Sequence, residues 1–278
     1  MNCYPAPVHG IGQGGLSADL FQQEIMSSIQ ARLGLGVFDF TRVEALAKAC
    51  LYQQSLAVGQ VQALCAECFP LEEIYLDGLV PAARLLGEWW SSDQIDFTEV
   101  TFGIRCLQQI LYEFSPQFMR QTDCKNNGYR AIFFTTPQSQ HSFGIVLLAE
   151  FFRRDGREVS NVVIKSDSDV ISEMSRQWFD IAGFSVCSDR GIAQLKQLIL
   201  DARMASANPR TQFMLGGPMA ELNPGLLVTL GADLLGGDAR DSQRLAFQQV
   251  KKLQSANETP LPERNLGPMT STQFDAPT

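Results

Sequence analysis

The sequence lacks a surplus of basic residues. Lys and Arg number 22 against 30 Asp and Glu, a formal net charge of −8. Nonspecific nucleic-acid affinity comes mainly from clustered Lys and Arg, so direct DNA binding is not expected. A long apolar run is also missing: none approaches the roughly 20 residues that span a bilayer. With 45% hydrophobic and 19% charged residues, the composition is that of an ordinary soluble globular protein, and no membrane association is expected. Residues 1–15 contain neither Lys nor Arg and no long apolar core, so they fit neither a secretory signal nor a basic transit peptide, and the cytoplasm is the expected compartment. Seven cysteines, an odd count, are scattered through helical-looking segments, which is no disulfide framework and no zinc spacing. Most are expected to be reduced and buried as small hydrophobes. Cys65 and Cys68 form a C-x-x-C pair, but within a helical pattern rather than at the strand-to-helix turn of a thioredoxin-like motif. Histidine is the scarcest of all, with His9 and His141 alone.

What is present divides the 278 residues into two parts, consistent with their length. Residues 1–15 are rich in Gly and Pro. Gly10, Gly12 and Gly15 satisfy G-x-G-x-x-G literally, but no strand precedes them, so the segment reads as a flexible arm. Residues 16–120 show helical periodicity and no strand: Leu20 to Leu33, Val43 to Val58, Leu71 to Trp90 and Phe97 to Phe114, a small helical bundle. A polar linker, Gln121 to Gly128, follows. Residues 129–254 then alternate short apolar strands with helices: Ala131–Phe134, Phe143–Arg154, Glu158–Ile164, Val170–Phe179, Gly183–Cys187, Ile192–Ala205, Gln212–Leu215, Ala220–Thr229, Asp233–Leu235 and Ser242–Leu253. Five strands separated by helices predict a doubly wound parallel sheet, whose ligands bind beyond the carboxyl ends of the strands. Residues 255–278, rich in Pro, Thr, Ser and Asn without periodicity, read as a disordered tail.

The expected strand ends carry unusual loops. The first leads into Ser139-Gln140-His141-Ser142-Phe143-Gly144, the third into Ser185-Val186-Cys187-Ser188, and the fourth into Gly216-Gly217-Pro218. In order and placement this set resembles the cobalamin-binding domain of methionine synthase and its relatives, with its D-x-H-x-x-G, S-x-L and G-G signature. The resemblance implies that His141 ligates cobalt from the lower face, that Ser185 and Val186 line the slot for the nucleotide tail, and that Gly216 and Gly217 let the backbone approach the buried base. Gly144 lets the following helix begin tightly against the corrin. Ser139 stands where that family has Asp, so the carboxylate that would orient the imidazole is missing. Cys187 replaces Leu, one apolar group for another. Taken alone, His141 reads better as a hydrogen-bonded loop residue; the co-occurring loops reverse that preference.

Pro81 to Trp90, followed by Asp96-Phe97-Thr98-Glu99-Val100, resembles the helical cap over the upper corrin face in these proteins, which makes Trp89 and Trp90 candidates to shield the upper ligand. The competing reading is two core aromatics. In CarH-type adenosylcobalamin photoreceptors the Trp is followed after nine residues by Glu-His; from Trp89 that spacing reaches Glu99-Val100, without the histidine. Together these segments are most similar to the AerR and PpaA antirepressors of purple photosynthetic bacteria. That implies a light- or redox-responsive regulator that holds hydroxocobalamin or adenosylcobalamin and relieves a repressor of the CrtJ/PpsR type, without enzymatic activity. His9, on its Gly-rich arm, is a candidate upper ligand for cobalt. Two alternatives stay open: a corrinoid methyl carrier for a methyltransferase system, and a heme sensor that uses His141 on iron.

Overall fold

The structure, a computed structural model, describes residues 38–120, 128–135, 143–186 and 191–258. Helix α1 (Phe40–Tyr52) starts where Asp39 accepts a hydrogen bond from the Arg42 amide at 2.9 Å, the usual use of an acidic N-cap. It stops at Gln53, whose extended backbone (φ −157°, ψ 99°) separates it from α2 (Gln54–Ala66). The single helix expected over 43–58 is therefore two, and α2 continues through Gly59, where an added Cβ would meet open space. Helix α2 closes in a Schellman turn: the Phe69 amide donates to Leu64 O and the Cys68 amide to Cys65 O, both at 3.1 Å. Cys68 occupies the left-handed position at φ 67°, so it stands outside the helix that holds Cys65, and both thiols are free.

Helix α3 (Leu71–Glu73), a π-helical turn (Ile74–Leu79) and α4 (Val80–Ser91) follow without a break. Helix α5 (Phe97–Arg120) opens on a reciprocal capping box, with the Asp96 amide donating to Glu99 Oε2 and the Glu99 amide to Asp96 Oδ1, each at 2.8 Å. It passes the expected end at Phe114 and carries Pro116 in its interior. A missing amide there costs helix stability. The offset comes one half-turn later, where Phe118 is fully buried against Tyr75 and Phe151, with ring centroids 4.8 and 5.2 Å away.

The second part is β1 (Arg130–Thr135), α6 (Phe143–Arg154), β2 (Glu158–Val163), α7 (Asp167–Arg176), β3 (Ile181–Ser185), α8 (Ile192–Ala205), β4 (Gln212–Gly216), α9 (Pro218–Leu222), α10 (Leu226–Leu230), β5 (Leu234–Leu235) and α11 (Ala239–Glu258). Every strand pair is parallel and the order is β2-β1-β3-β4-β5. Buried apolar clusters cover both faces, as an all-parallel sheet requires. Some expected boundaries move. The helix expected over 220–229 is split by Asn223-Pro224-Gly225, because Pro224 has no amide to continue it. Strand β3 begins and ends two residues earlier than expected, and α11 runs four residues beyond 254. Among the described residues no helix is long and apolar enough to cross a membrane.

The two parts share one core. Helix α6 contributes Phe143, Val146, Leu147 and Phe151 to the same buried cluster as Leu71, Ile74, Tyr75, Ile104 and Leu107. Ion pairs flank this seam: Glu72 accepts from Arg154 at 2.6 Å and also from Arg240, while Arg84 reaches Glu221 at 3.2 Å. Arg154 in addition lies over the Phe118 ring, 4.4 Å from its centroid. The seam also holds two unmet polar atoms, Tyr75 Oη and Glu150 Oε2, both buried without a hydrogen-bond partner among the described residues. Burial, reinforced by the Glu150 carboxylate, holds the Tyr75 phenol above its usual range. An unmet buried hydroxyl costs stability, whereas a two-arginine clasp contributes it. Tyr75→Phe should therefore leave the melting temperature unchanged or raise it, by up to about 1 kcal/mol of stability. Glu72→Ala should lower stability by about 1–3 kcal/mol, read by thermal or urea denaturation.

Candidate cofactor-binding site

Strand register assembles the site. Thr135 of β1 pairs with Ser185 of β3, and Ser185 with Gly216 of β4, so three strands end at one level. The order β2-β1-β3 makes the β1/β3 boundary the point where successive crossovers diverge to opposite sides, and a crevice opens there beyond the strand ends. Past that level the chain is drawn tighter still. The Val186 amide donates to Gly216 O at 2.7 Å and the Met219 amide to Val186 O at 3.1 Å, tying the β3 end to the turn after β4. Gly217 makes this possible: at φ 95° and ψ 168° its backbone is one that side-chain-bearing residues rarely adopt. A Cβ there would sit 2.8 Å from both Ser185 Oγ and Val186 O. Gly216 is the converse, since a Cβ on it would meet nothing within 4 Å.

Between these strand ends and the helical part lies a cleft of about 350 Å³. Its floor is Phe133, Gly183, Ser185, Met214, Gly216 and Gly217, and its roof is Leu76, Asp77, Val80, Ala83, Arg84 and Ile104. The start of α6 (Phe143, Gly144) and the β5–α11 turn (Gly236 to Ala239) close the sides. Gly183 belongs to the floor for steric reasons, because a Cβ on it would lie 2.5 Å from the Phe133 ring. Apolar walls with a few polar groups are the ordinary makeup of a cofactor pocket.

Gly144, Ser185, Gly216 and Gly217 thus meet at one cleft, and Val186 supports it through its backbone. Gly144, second residue of α6, has open space where a Cβ would point. Ser139, His141, Ser142 and His9 lie outside the described residues, as does Cys187. In sequence, His141 stands two residues before the start of α6, in the connection from β1. Trp89 and Trp90 are not brought to the cleft. Both pack half-buried against the helical core, and the roof is formed by Leu76, Asp77, Val80, Ala83 and Arg84, earlier in the same helical run. On α4 the lining positions are Val80, Ala83 and Arg84, at ordinary i, i+3, i+4 spacing, and Trp89 and Trp90 follow five and six residues after Arg84. Glu99, the residue reached by counting from Trp89, is committed to the α5 capping box.

Sequence reasoning missed Leu76, Asp77 and the β5–α11 turn. Gly236-Gly237 directly after a short apolar strand was a readable signal; Asp77, one acid in an apolar helical run, gave none. Burial raises the Asp77 carboxyl above its ordinary range, with Arg240 opposing and Asp238 adding to the shift.

Comparison with known proteins agrees with this architecture. Residues 129–245 match the B12 binding domain family, and residues 39–113 match a second B12 binding domain family. The fold is similar to that of the Methanosarcina barkeri monomethylamine corrinoid protein, with a TM-score of 0.63 at 16% identity over 73% of this chain and 96% of that one. Fold and site define a two-part B12-binding protein. Its sequence is also 29% identical over 170 residues, 61% of this chain and 88% of the relative, to the uncharacterized 20.5 kDa protein in the bchF-crtJ intergenic region of Rhodobacter capsulatus. Both parts of the chain thus carry B12-binding family sequence, over residues 39–113 and 129–245.

The described residues fit such a group: bare backbone at Gly216 faces the open cleft, and roof and floor converge on one apolar space. Two adjacent glycines separate folding from binding. Gly217→Val should destabilise the protein by about 2–4 kcal/mol through backbone strain and collision with Ser185. Gly216→Val should leave the melting temperature near that of wild type yet abolish corrinoid retention on gel filtration, because its side chain fills the cleft.

Proposed function

We propose that this protein is a cobalamin-dependent, light- or redox-responsive transcriptional regulator in the cytoplasm. In this reading it acts as an antirepressor by binding a repressor of the CrtJ/PpsR type, and it is not an enzyme. The observation that carries the reading is the single cleft shared by the helical part and the strand ends. A ligand held there touches both parts, so its state is felt at the surface of each. Similarity to a protein encoded between bchF and crtJ supports the choice of target. Bound cobalamin supplies a cobalt ion whose upper ligand exchanges with light or redox state. His141 would hold the cobalt, and His9 would supply a second imidazole able to bind it. Hydroxocobalamin and adenosylcobalamin are the forms this role requires. A formal charge of −8 favours a partner with a basic contact face over direct contact with DNA.

The test is the absorption spectrum of the purified protein with hydroxocobalamin and with adenosylcobalamin, before and after illumination. Wild type should retain corrin bands that change with light, His141→Ala should alter them, and His9→Ala should change the illuminated form. The loaded, illuminated protein should then shift the DNA affinity of the repressor. A Soret band with added heme and no retained corrin would make this a heme sensor. Methyl transfer from bound methylcobalamin to a substrate would make it a carrier.

A further inference from the structure

The charged groups that line the cleft are, with one exception, already engaged. Arg84 is paired with Glu221 at 3.2 Å on both carboxylate oxygens. Asp238 Oδ1 caps α11 by accepting from the Asp241 amide at 2.8 Å. Arg240, beside the cleft, is held by Glu72. Asp77 alone among the described charged residues of the lining has no hydrogen bond and no ion pair, although it is half-buried in a mainly apolar wall.

Such a carboxylate is costly. Partial burial disfavours its charge, nearby Arg240 favours it and Asp238 opposes it, and no direct hydrogen bond or ion pair to a described residue satisfies its oxygens. Two features narrow what could satisfy them. Asp77 projects from a π-helical turn, an irregularity that costs helix stability and marks functional positions. It also lines the roof of the cleft, across from a floor of Gly183, Gly216 and the Phe133 ring, with Arg240 and Asp238 the charged groups that act on it. A macrocycle bound in the cleft would bring its periphery toward such a group, and a corrin periphery is fringed with primary amides. A carboxylate is an acceptor only, and amide N–H groups are its natural partners.

We propose that Asp77 is a corrinoid-positioning residue whose carboxylate accepts a hydrogen bond from an amide N–H on the edge of the corrin ring. This rests on the cobalamin reading of the cleft and adds to it the group by which the helical part recognises the ring. Asp77 touches the ring edge and not the cobalt, so it sets affinity and seating and leaves the axial chemistry to other residues.

The experiment uses the full chain, free of cofactor, titrated by absorbance with hydroxocobalamin and with derivatives in which one propionamide has been hydrolysed to a carboxylate. Asp77→Leu should weaken hydroxocobalamin binding about tenfold or more, the loss expected for a hydrogen bond to a charged group. Asp77→Asn, which keeps an acceptor oxygen, should lose only a few-fold. Neither variant should lower the melting temperature of the unloaded protein appreciably, because the lost attraction of Arg240 is offset by relief of burial and of repulsion from Asp238. Wild type should discriminate against at least one hydrolysed derivative by about tenfold, since two carboxylates then face each other, and Asp77→Asn should erase that discrimination. A purely structural role would not move this last readout. Equal hydroxocobalamin affinity in wild type and Asp77→Leu, or discrimination that persists in Asp77→Asn, overturns the proposal. Failure of wild type to bind hydroxocobalamin at all overturns the cobalamin reading instead.

Discussion

The site depends on a single constraint of backbone geometry, the common level at which β1, β3 and β4 end. Parallel pairing sets Thr135, Ser185 and Gly216 side by side, and everything beyond that row follows from how closely two turns then approach. The Val186 amide reaches Gly216 O only if the following residue leaves the strand with a positive φ and no Cβ, which Gly217 provides. Were that turn looser, Ser185 would withdraw from the floor and the cleft would lose its back wall. A slip of one residue in the β3–β4 register would turn Ser185 to the other face of the sheet.

The opposite wall rests on a compromise in helix regularity. The run from Leu71 to Ser91 must place Glu72 between Arg154 and Arg240, bury Tyr75 against Phe118, and still present Leu76, Asp77, Val80 and Arg84 to the strand ends. The π-helical turn at Ile74–Leu79 lies between these demands. Its cost, together with the unmet hydroxyl of Tyr75 and the partial burial of the Asp77 carboxylate, is offset by the continuous apolar core that joins the helical part to α6.

Much of the fold was legible because its signals are local and strong. Helices α6 and α8 fall on the residues predicted, since apolar periodicity and flanking Gly or polar residues agree there. Buried parallel strands read as short apolar runs, and the glycines at their ends stand out against them. The departures arise where tertiary contacts override the local pattern: Gln53 turns extended between two helices, Phe118 carries α5 past Pro116, and Pro224 divides what periodicity reads as one helix. Of the candidate site, the residues on the strand ends were visible from motif order alone. Those on the roof were not. Trp89 and Trp90 stood out by resemblance to a helical cap, whereas Leu76 and Asp77 belong to no motif and come to the cleft only through the tertiary fold.

A regulator needs its ligand to distinguish two arrangements of the protein, and a ligand that contacts one rigid part alone has no leverage on the other. In the proposed role that leverage would come from chain connectivity. Helix α6 begins at the cleft with Phe143 and Gly144 and ends with Arg154 on Glu72; α11 begins at the cleft with Ala239, and its next residue, Arg240, is also on Glu72. Glu72 lies five residues before Asp77 in the same helical run, so the groups that clasp the two parts and the groups that face the ligand share backbone. A change in how the cleft is filled bears on Asp77 and on the first turns of α6 and α11 together.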